Sequence, residues 1–352
     1  MKRRTFLLTA AGLPFISSCA NDMTRLRHRP PDALARELGV CSAAYVPLRA
    51  GRPGAPVALS GCADTQARPD AIFQAASLTK PVVALAALRL VRAGQLELDA
   101  PVSRYLPGGY RHFHNELKRS AGDSHDLVPE STLRQISVAQ LLNHSTGFPN
   151  WSSGVLSLPS DPGRRWRYSG EGYMLLQSVI EAVTGTELAA YLDQQLFTPL
   201  GMHDTSLVWR DAFEERAVSG VSTFGIRLRI RMRSAVAASS LYTTAADYAR
   251  FMAALLADEA LVSMVLGRPV VADDTLDLKW GLGWGIEQAP DGPNLWQWGN
   301  NPGFRAFAMA AVASKDGFVL LTNSERGMAL AASVAQTVLP GEHNAFRFHL
   351  VA

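Results

Sequence analysis

From residue 80 to 91 nearly every side chain is apolar, Arg89 and then Arg92 being the exceptions, and Gly94 follows as a stop. A helix with that pattern has no face to present to water, so it must run through a body large enough to cover most of its sides. The chain can supply one. Its 352 residues, 47% hydrophobic and 18% charged, have the balance of a globular protein and exclude a disordered, collagenous or polytopic membrane chain.

Strand and helix signals are distributed unevenly around that helix. Two apolar stretches, 40–48 and 55–62, are separated by Arg-Ala-Gly-Arg-Pro-Gly and read as a β-hairpin. Helical patterns follow at 173–183, ending at Gly185, then at 188–196 and 245–256. Beyond Trp280 short apolar stretches recur at 281–286, 295–298, 306–313 and 318–321, each bounded by Gly, Asn, Asp or Pro, and read as consecutive antiparallel strands. A last helix, Met328–Val338, precedes Pro340. Strands at both ends with helices between predict an α/β (α+β) fold, one antiparallel sheet built from both termini with a mainly helical insertion. The expected division is a sheet part of about 35–76 and 276–345 and a helical part of about 77–275.

The first residues read as an export signal. Lys2, Arg3 and Arg4 precede an apolar run, 6–16, interrupted by Gly12 and Pro14 and too short to span a bilayer, and small residues lead to Cys19. The arginine pair resembles a twin-arginine signal, and Ile-Ser-Ser-Cys resembles a lipobox in which Cys19 is acylated; a plain cleaved signal, with no role for Cys19, is the alternative. Residues 1–18 are thus read as signal and 19–34 as a polar tether, broken by Pro30 and Pro31, for a protein exported to the periplasm or cell envelope. The net charge of +3 comes from 34 basic against 31 acidic residues; without the three signal basics the counts are 31 and 31. No electrostatic reason to bind nucleic acid remains. The hairpin sets Cys41 opposite Cys62, either as a disulfide, worth about 3 kcal/mol, or as two buried thiols.

Other clusters carry weaker signals. His112, His114 and His125 share a polar loop, 108–130, but no Cys or carboxylate completes a familiar ligand spacing, and neither metal nor cofactor is expected. Arg227, Arg229, Arg231 and Arg233 alternate with Leu228, Ile230 and Met232, the period of an extended segment with either a solvated arginine face or an anion-binding patch.

Ser77-Leu78-Thr79-Lys80 opens the buried helix. Residues three apart share a helix face, so the Lys80 amine can reach the Ser77 hydroxyl, and burial would lower its pKa toward that of a neutral base. Pro81, which cannot donate to the Ser77 carbonyl, holds Ser77 to the first turn. By itself the tetrad also fits a helix-capping Ser beside a snorkelling Lys.

Two further stretches join it: Arg167-Tyr168-Ser169-Gly170, and Gln297-Trp298-Gly299-Asn300-Asn301-Pro302-Gly303-Phe304. In this order, with 73–76, 94–102, 141–147 and 241–247, they make the chain resemble the serine β-lactamase and penicillin-binding-protein superfamily over about residues 35–340, most closely its branch of class C β-lactamases, DD-peptidases and family VIII esterases. The resemblance implies a β-lactamase/DD-peptidase-like fold, Ser77 as acylated nucleophile, Lys80 as its proton acceptor and Tyr168 as a second base or proton relay. It implies an oxyanion hole of the Ser77 and Asn300 backbone N–H groups, and a substrate wall of Gly170, Gln297, Trp298 and Gly299.

Two departures bear on the substrate. Gly170 stands where the family's second motif has an Asn amide, and Gln297 stands where its third motif has a cation that pairs with a substrate carboxylate. The Arg227–Arg233 stripe and Arg305 are candidates to compensate, and Trp284, Trp296 and Trp298 are candidates for an apolar acyl pocket, with core packing an equal explanation for Trp284 and Trp296. Esters suffer least from both losses. The expectation is a monomeric exported serine hydrolase, esterase-like, on a small ester, amide or peptide; the alternatives are a DD-peptidase or weak β-lactamase and a non-catalytic binding module. An α/β-hydrolase is disfavoured by the absence of a Gly-x-Ser-x-Gly elbow.

Overall fold

The computed structural model describes residues 26–351 except 116, 118, 121 and 159–161. The signal segment and Cys19 lie outside the described residues. Helix α1 (Pro31–Leu38) leads into β1 (Ala43–Arg49), β2 (Arg52–Pro53), β3 (Val57–Leu59) and β4 (Phe73–Ala76), and then the apolar helix α2 (Thr79–Arg92). The middle of the chain holds the hairpin β5 (Tyr110–Phe113) and β6 (His125–Val128), helices α3 (Glu130–Leu133), α4 (Val138–Leu142), α5 (Gly170–Thr184) and α6 (Leu188–Leu192), and the small hairpin β7 (Gly220–Val221) and β8 (Arg227–Leu228). There follow β9 (Leu241–Thr243), α7 (Ala245–Ala257) and α8 (Glu259–Leu266). Strands β10 (Val270–Asp273), β11 (Leu278–Trp280), β12 (Gly285–Ala289), β13 (Gly292–Asn301), β14 (Phe304–Ala311) and β15 (Gly317–Thr322) precede the last helix, α9 (Met328–Val338).

Strands β10 to β15 lie side by side in sequence order, and β1 pairs with β15, so the two ends of the chain complete one antiparallel nine-stranded sheet. Ala43 sits opposite Thr322 on one side and Leu59 on the other. That pairing brings Cys41 and Cys62 together as a disulfide, with Cα atoms 4.7 Å apart. Alternation along the strands feeds two cores. Ala44, Val46, Ala306, Ala308, Val319 and Leu321 face the helical layer that contains α2, α5 and α7. Trp296, Phe307, Met309, Phe318 and Leu320 face α1 and α9. Both faces are covered, which is why these strands read as almost unbroken apolar runs.

Several expectations change. Residues 26–34 do not form a tether: Pro30 and Pro31 occupy the N-cap and first turn of α1, where a missing N–H costs nothing, and Leu34 and Ala35 are fully buried. Arg27 pairs with Glu342, and the Ser333 hydroxyl donates to the Arg29 carbonyl, so the body starts by Leu26. The sheet reaches back to Val270, while β4 leaves it to pair with β9. Residues 281–283 are a turn, with Gly283 at φ +95°, and the strand there starts at Gly285. The arginine stripe is strand only at Arg227–Leu228. Among the described residues no helix is long and apolar enough to cross a membrane.

Candidate active site

Ser77 lies in the turn between β4 and α2, one residue before the helix N-cap Leu78. Ala76 takes a left-handed φ of 51°, and the Thr79 hydroxyl fixes the turn by donating to the Ala76 carbonyl at 2.6 Å while accepting from Leu241 N–H at 3.0 Å. Because Pro81 has no N–H, the Ser77 carbonyl accepts instead from Lys80 N–H at 3.0 Å. The result is a tight turn that leaves the Ser77 side chain at the surface of a cleft.

Lys80 points into the core with 1% of its surface exposed. Its Nζ lies 3.1 Å from Ser77 Oγ, donates to the Ala238 carbonyl at 2.8 Å, and sits 4.7 Å from the Tyr168 ring centre. Burial lowers its pKa to about 7. A neutral amine fits these partners: one N–H goes to Ala238, and the lone pair faces the Ser77 hydroxyl. Tyr168 shifts the other way. Packing around its hydroxyl raises its pKa, against smaller lowering effects of its hydrogen bonds with Ser77 and Gln297, so it stays a phenol at neutral pH. Of the two roles the resemblance allowed, relay suits Tyr168 and base suits Lys80.

Gln297 is fully buried, and its Nε2 donates to Tyr168 Oη at 3.2 Å and to the Trp298 carbonyl at 2.8 Å. It touches the site through the tyrosine. Gly299 is a spacer: a Cβ there would lie 2.4 Å from the Ala75 carbonyl, so only glycine lets β13 run against the nucleophile turn and bring Asn300 beside Ser77. Gly170 is the first residue of α5, whose N-cap Ser169 accepts from Gly172 N–H. Behind Tyr168 sits His144, its ring 4.5 Å away, accepting from Ser169 N–H and held neutral chiefly by burial.

The cleft has a volume of about 360 Å³. Ser77, Tyr168, Trp298 and Asn300 line it, as expected; Gly170, Gln297 and Gly299 do not, so of the expected substrate wall only Trp298 reaches it. Trp284 and Trp296 belong to the cores. Sequence reasoning missed Asn150, Trp151, Leu117 and Leu350, which loops bring in from elements far apart in the chain. The arginine stripe supplies its apolar members, Ile230 and Met232, while Arg229 and Arg231 pair with Glu214 and pack on Trp209. Arg305 donates to the carbonyls of Asn301 and Phe304. None of the described residues lining the cleft is charged.

The three histidines divide. His125 turns to the Asp123 carbonyl, while Asp126, directly across the hairpin from His112, joins His112 and His114. These three could offer a metal one atom each, yet Asp126 Oδ1 already faces His112 Nδ1 at 2.7 Å and His114 Nε2 at 3.0 Å, the spacing of hydrogen bonds. His112 Nε2 lies 3.3 Å from Glu171 Oε2. Burial disfavours the His112 cation, but the Glu171 and Asp126 carboxylates outweigh it and raise the pKa. This network pins the β5–β6 hairpin to the start of α5.

A Ser-x-x-Lys turn at a cleft between an antiparallel sheet and a helical layer, with a tyrosine over the pair, defines the serine β-lactamase and penicillin-binding-protein class. The Beta-lactamase family profile matches residues 42–340, and the chain belongs to that family. It is 33% identical over 182 residues to Esterase EstB of Burkholderia gladioli, covering 42% of each chain. It is 23% identical over 309 residues to Penicillin-binding protein 4* of Bacillus subtilis, covering 74% of this chain and 63% of that one. The chain thus spans less than two thirds of either relative. Among solved structures a class C β-lactamase superposes with a TM-score of 0.73 at 17% identity, over 92% of this chain and 98% of the other, a likeness of fold.

Proposed function

We propose that the protein is a serine hydrolase that cleaves uncharged esters through an acyl-enzyme on Ser77. The observation that carries this is the buried Lys80 amine, 3.1 Å from the Ser77 hydroxyl and with a pKa of about 7, in a cleft whose described lining is uncharged. Lys80 takes the Ser77 proton as Oγ attacks the ester carbonyl. The backbone N–H groups of Ser77 and Asn300 hold the oxyanion. When the ester C–O bond breaks, the proton passes from Lys80 through the Tyr168 hydroxyl to the leaving alkoxide. Water then attacks the acyl carbonyl, Lys80 again accepts the proton, and Ser77 regains it as the acid departs. Gln297, donating to Tyr168 Oη, directs the phenolic proton toward Ser77.

A DD-peptidase or β-lactamase would need a cation for the substrate carboxylate, and Gln297 carries no charge. The reading includes export, with residues 1–18 as signal and Cys19 as the point of acylation. The test is to incubate the purified chain and Ser77→Ala separately with a fluorophosphonate, a short-chain aryl ester and a penicillin, following intact mass. The expected result is a stable fluorophosphonate adduct and rapid ester turnover, slow or absent reaction with penicillin, and none of these in Ser77→Ala. Faster turnover of penicillin than of ester would favour the β-lactamase reading, and a folded protein with no adduct from any reagent would favour the binding module.

A further inference from the structure

We propose that His144 is the positioning residue for Tyr168: it grips the backbone on both sides of the tyrosine and so aims the phenol at Ser77 and at the departing alkoxide. The inference rests on the serine-hydrolase reading above and gives a task to a buried histidine that the proposed reaction leaves without one.

The grip is made by two acceptors of a single residue. The His144 carbonyl accepts from Arg167 N–H at 2.8 Å, and its ring Nδ1 accepts from Ser169 N–H at 3.1 Å. Those two donors are the chain neighbours of Tyr168. The imidazole thus stands in for a second carbonyl, and the backbone is held at both ends with Tyr168 between them. Two more bonds tie the same three residues to the turn that follows His144. Arg167 Nη1 donates to the Gly147 carbonyl at 3.1 Å, and the Ser169 hydroxyl donates to the Pro149 carbonyl at 2.9 Å.

The position costs stability. His144 follows Asn143, the C-cap of α4, and Ser145 N–H closes the helix end on the Gln140 carbonyl at 3.1 Å. Its φ of 60° lies in the left-handed region, where Gly or Asn is usual at a helix end. Because Nδ1 accepts, the ring proton sits on Nε2. That N–H is buried beside Tyr173, Trp166 and Trp280 and has no hydrogen-bond partner among the described residues. A glycine would relieve the strain, and an apolar side chain would fill the space without an orphaned donor. Neither would offer Ser169 N–H an acceptor, and strain of this kind persists where the surroundings use it.

Tyr168 hands a proton to the leaving group, so the effect of a misaimed phenol depends on how much the leaving group needs that proton. A nitrophenolate departs as the anion, whereas an alkoxide does not. The experiment therefore measures kcat/KM for p-nitrophenyl butanoate and for ethyl butanoate, which share one acyl part, in the wild type and in three variants. His144→Phe keeps a ring and removes the acceptor. His144→Gly also removes the acceptor while suiting the left-handed turn, so the result does not depend on one variant folding. His144→Asn lacks the ring, tolerates the turn and carries an acceptor oxygen on the same Cγ atom.

Circular dichroism and fluorophosphonate labelling of Ser77 select the variants that are folded with an intact nucleophile. In His144→Phe and His144→Gly the ethyl ester is expected to lose about tenfold more than the nitrophenyl ester, and His144→Asn to keep the wild-type ratio within about threefold. Damage that is merely structural lowers both rates together and leaves the ratio alone. The proposal is overturned by an unchanged ratio in the folded variants that lack the acceptor, or by a shift in His144→Asn as large as theirs. A folded wild type that hydrolyses neither ester and takes no label would instead remove the hydrolase reading.

Discussion

Lys80 shows how far one residue has been moved from its ordinary behaviour. An exposed lysine titrates near 10.5 and this one at about 7, so between those values the unfolded chain holds a proton that the folded chain has lost. Stability therefore rises with pH across that window, and below pH 7 the buried ammonium costs roughly 5 kcal/mol. Lys80→Met should abolish ester hydrolysis yet raise the melting temperature by several degrees at pH 6, a gain that shrinks toward pH 10; thermal melts at both pH values check this. In the wild type kcat/KM for a neutral ester should rise through a pKa of about 7 to a plateau, as the neutral amine becomes the dominant form. Gln297 acts through Tyr168. Gln297→Leu should lower kcat about tenfold with little change in KM, which steady-state kinetics would show. The serine and lysine were legible in the sequence because their spacing is local. The place of Asn150 on the cleft was not, because a loop folds it against Gly170, a contact between residues distant in sequence.

Elements position these groups through close approaches that only particular residues allow. Strand β13 reaches the nucleophile turn because Gly299 leaves room for the Ala75 carbonyl. Gly299→Ala should push the strand outward and reduce kcat/KM about a hundredfold, with the oxyanion donor displaced while Ser77 and Lys80 stay in place. Retained fluorophosphonate labelling at a slower rate would separate this from unfolding. The helices that were read from the sequence have bounds within a few residues of those observed, and Met328–Val338 matches throughout, because apolar periodicity and Gly or Pro stops are local signals. Helices α1, α3, α4 and α8 were not read. The arginine stripe was read as an extended segment, which did not show that its apolar members Ile230 and Met232 line the cleft, that strand pairing ends at Leu228, or that Glu214 ties down Arg229 and Arg231. Pairing between residues far apart in sequence does not show in a period of two.

Across the whole molecule, the antiparallel sheet from both termini followed from where the strand signals fall. The order of its strands did not, nor did the inclusion of α1 in the second core, since prolines that break a helix interior also start a helix. At one end of the sheet the Cys41–Cys62 disulfide closes the β1–β3 connection, and neither cysteine lines the cleft. Its reduction should lower stability by about 3 kcal/mol, read as an earlier denaturant midpoint, while ester turnover at 25 °C remains near the oxidised value. The central claim is that Ser77 carries the acyl group, and the most direct measurement is an acid quench during turnover of an aryl ester, followed by peptide mass mapping. The account predicts the acyl increment on the peptide containing Ser77, absent in Ser77→Ala. Turnover that continues in Ser77→Ala, or an acyl group on another residue, would contradict it.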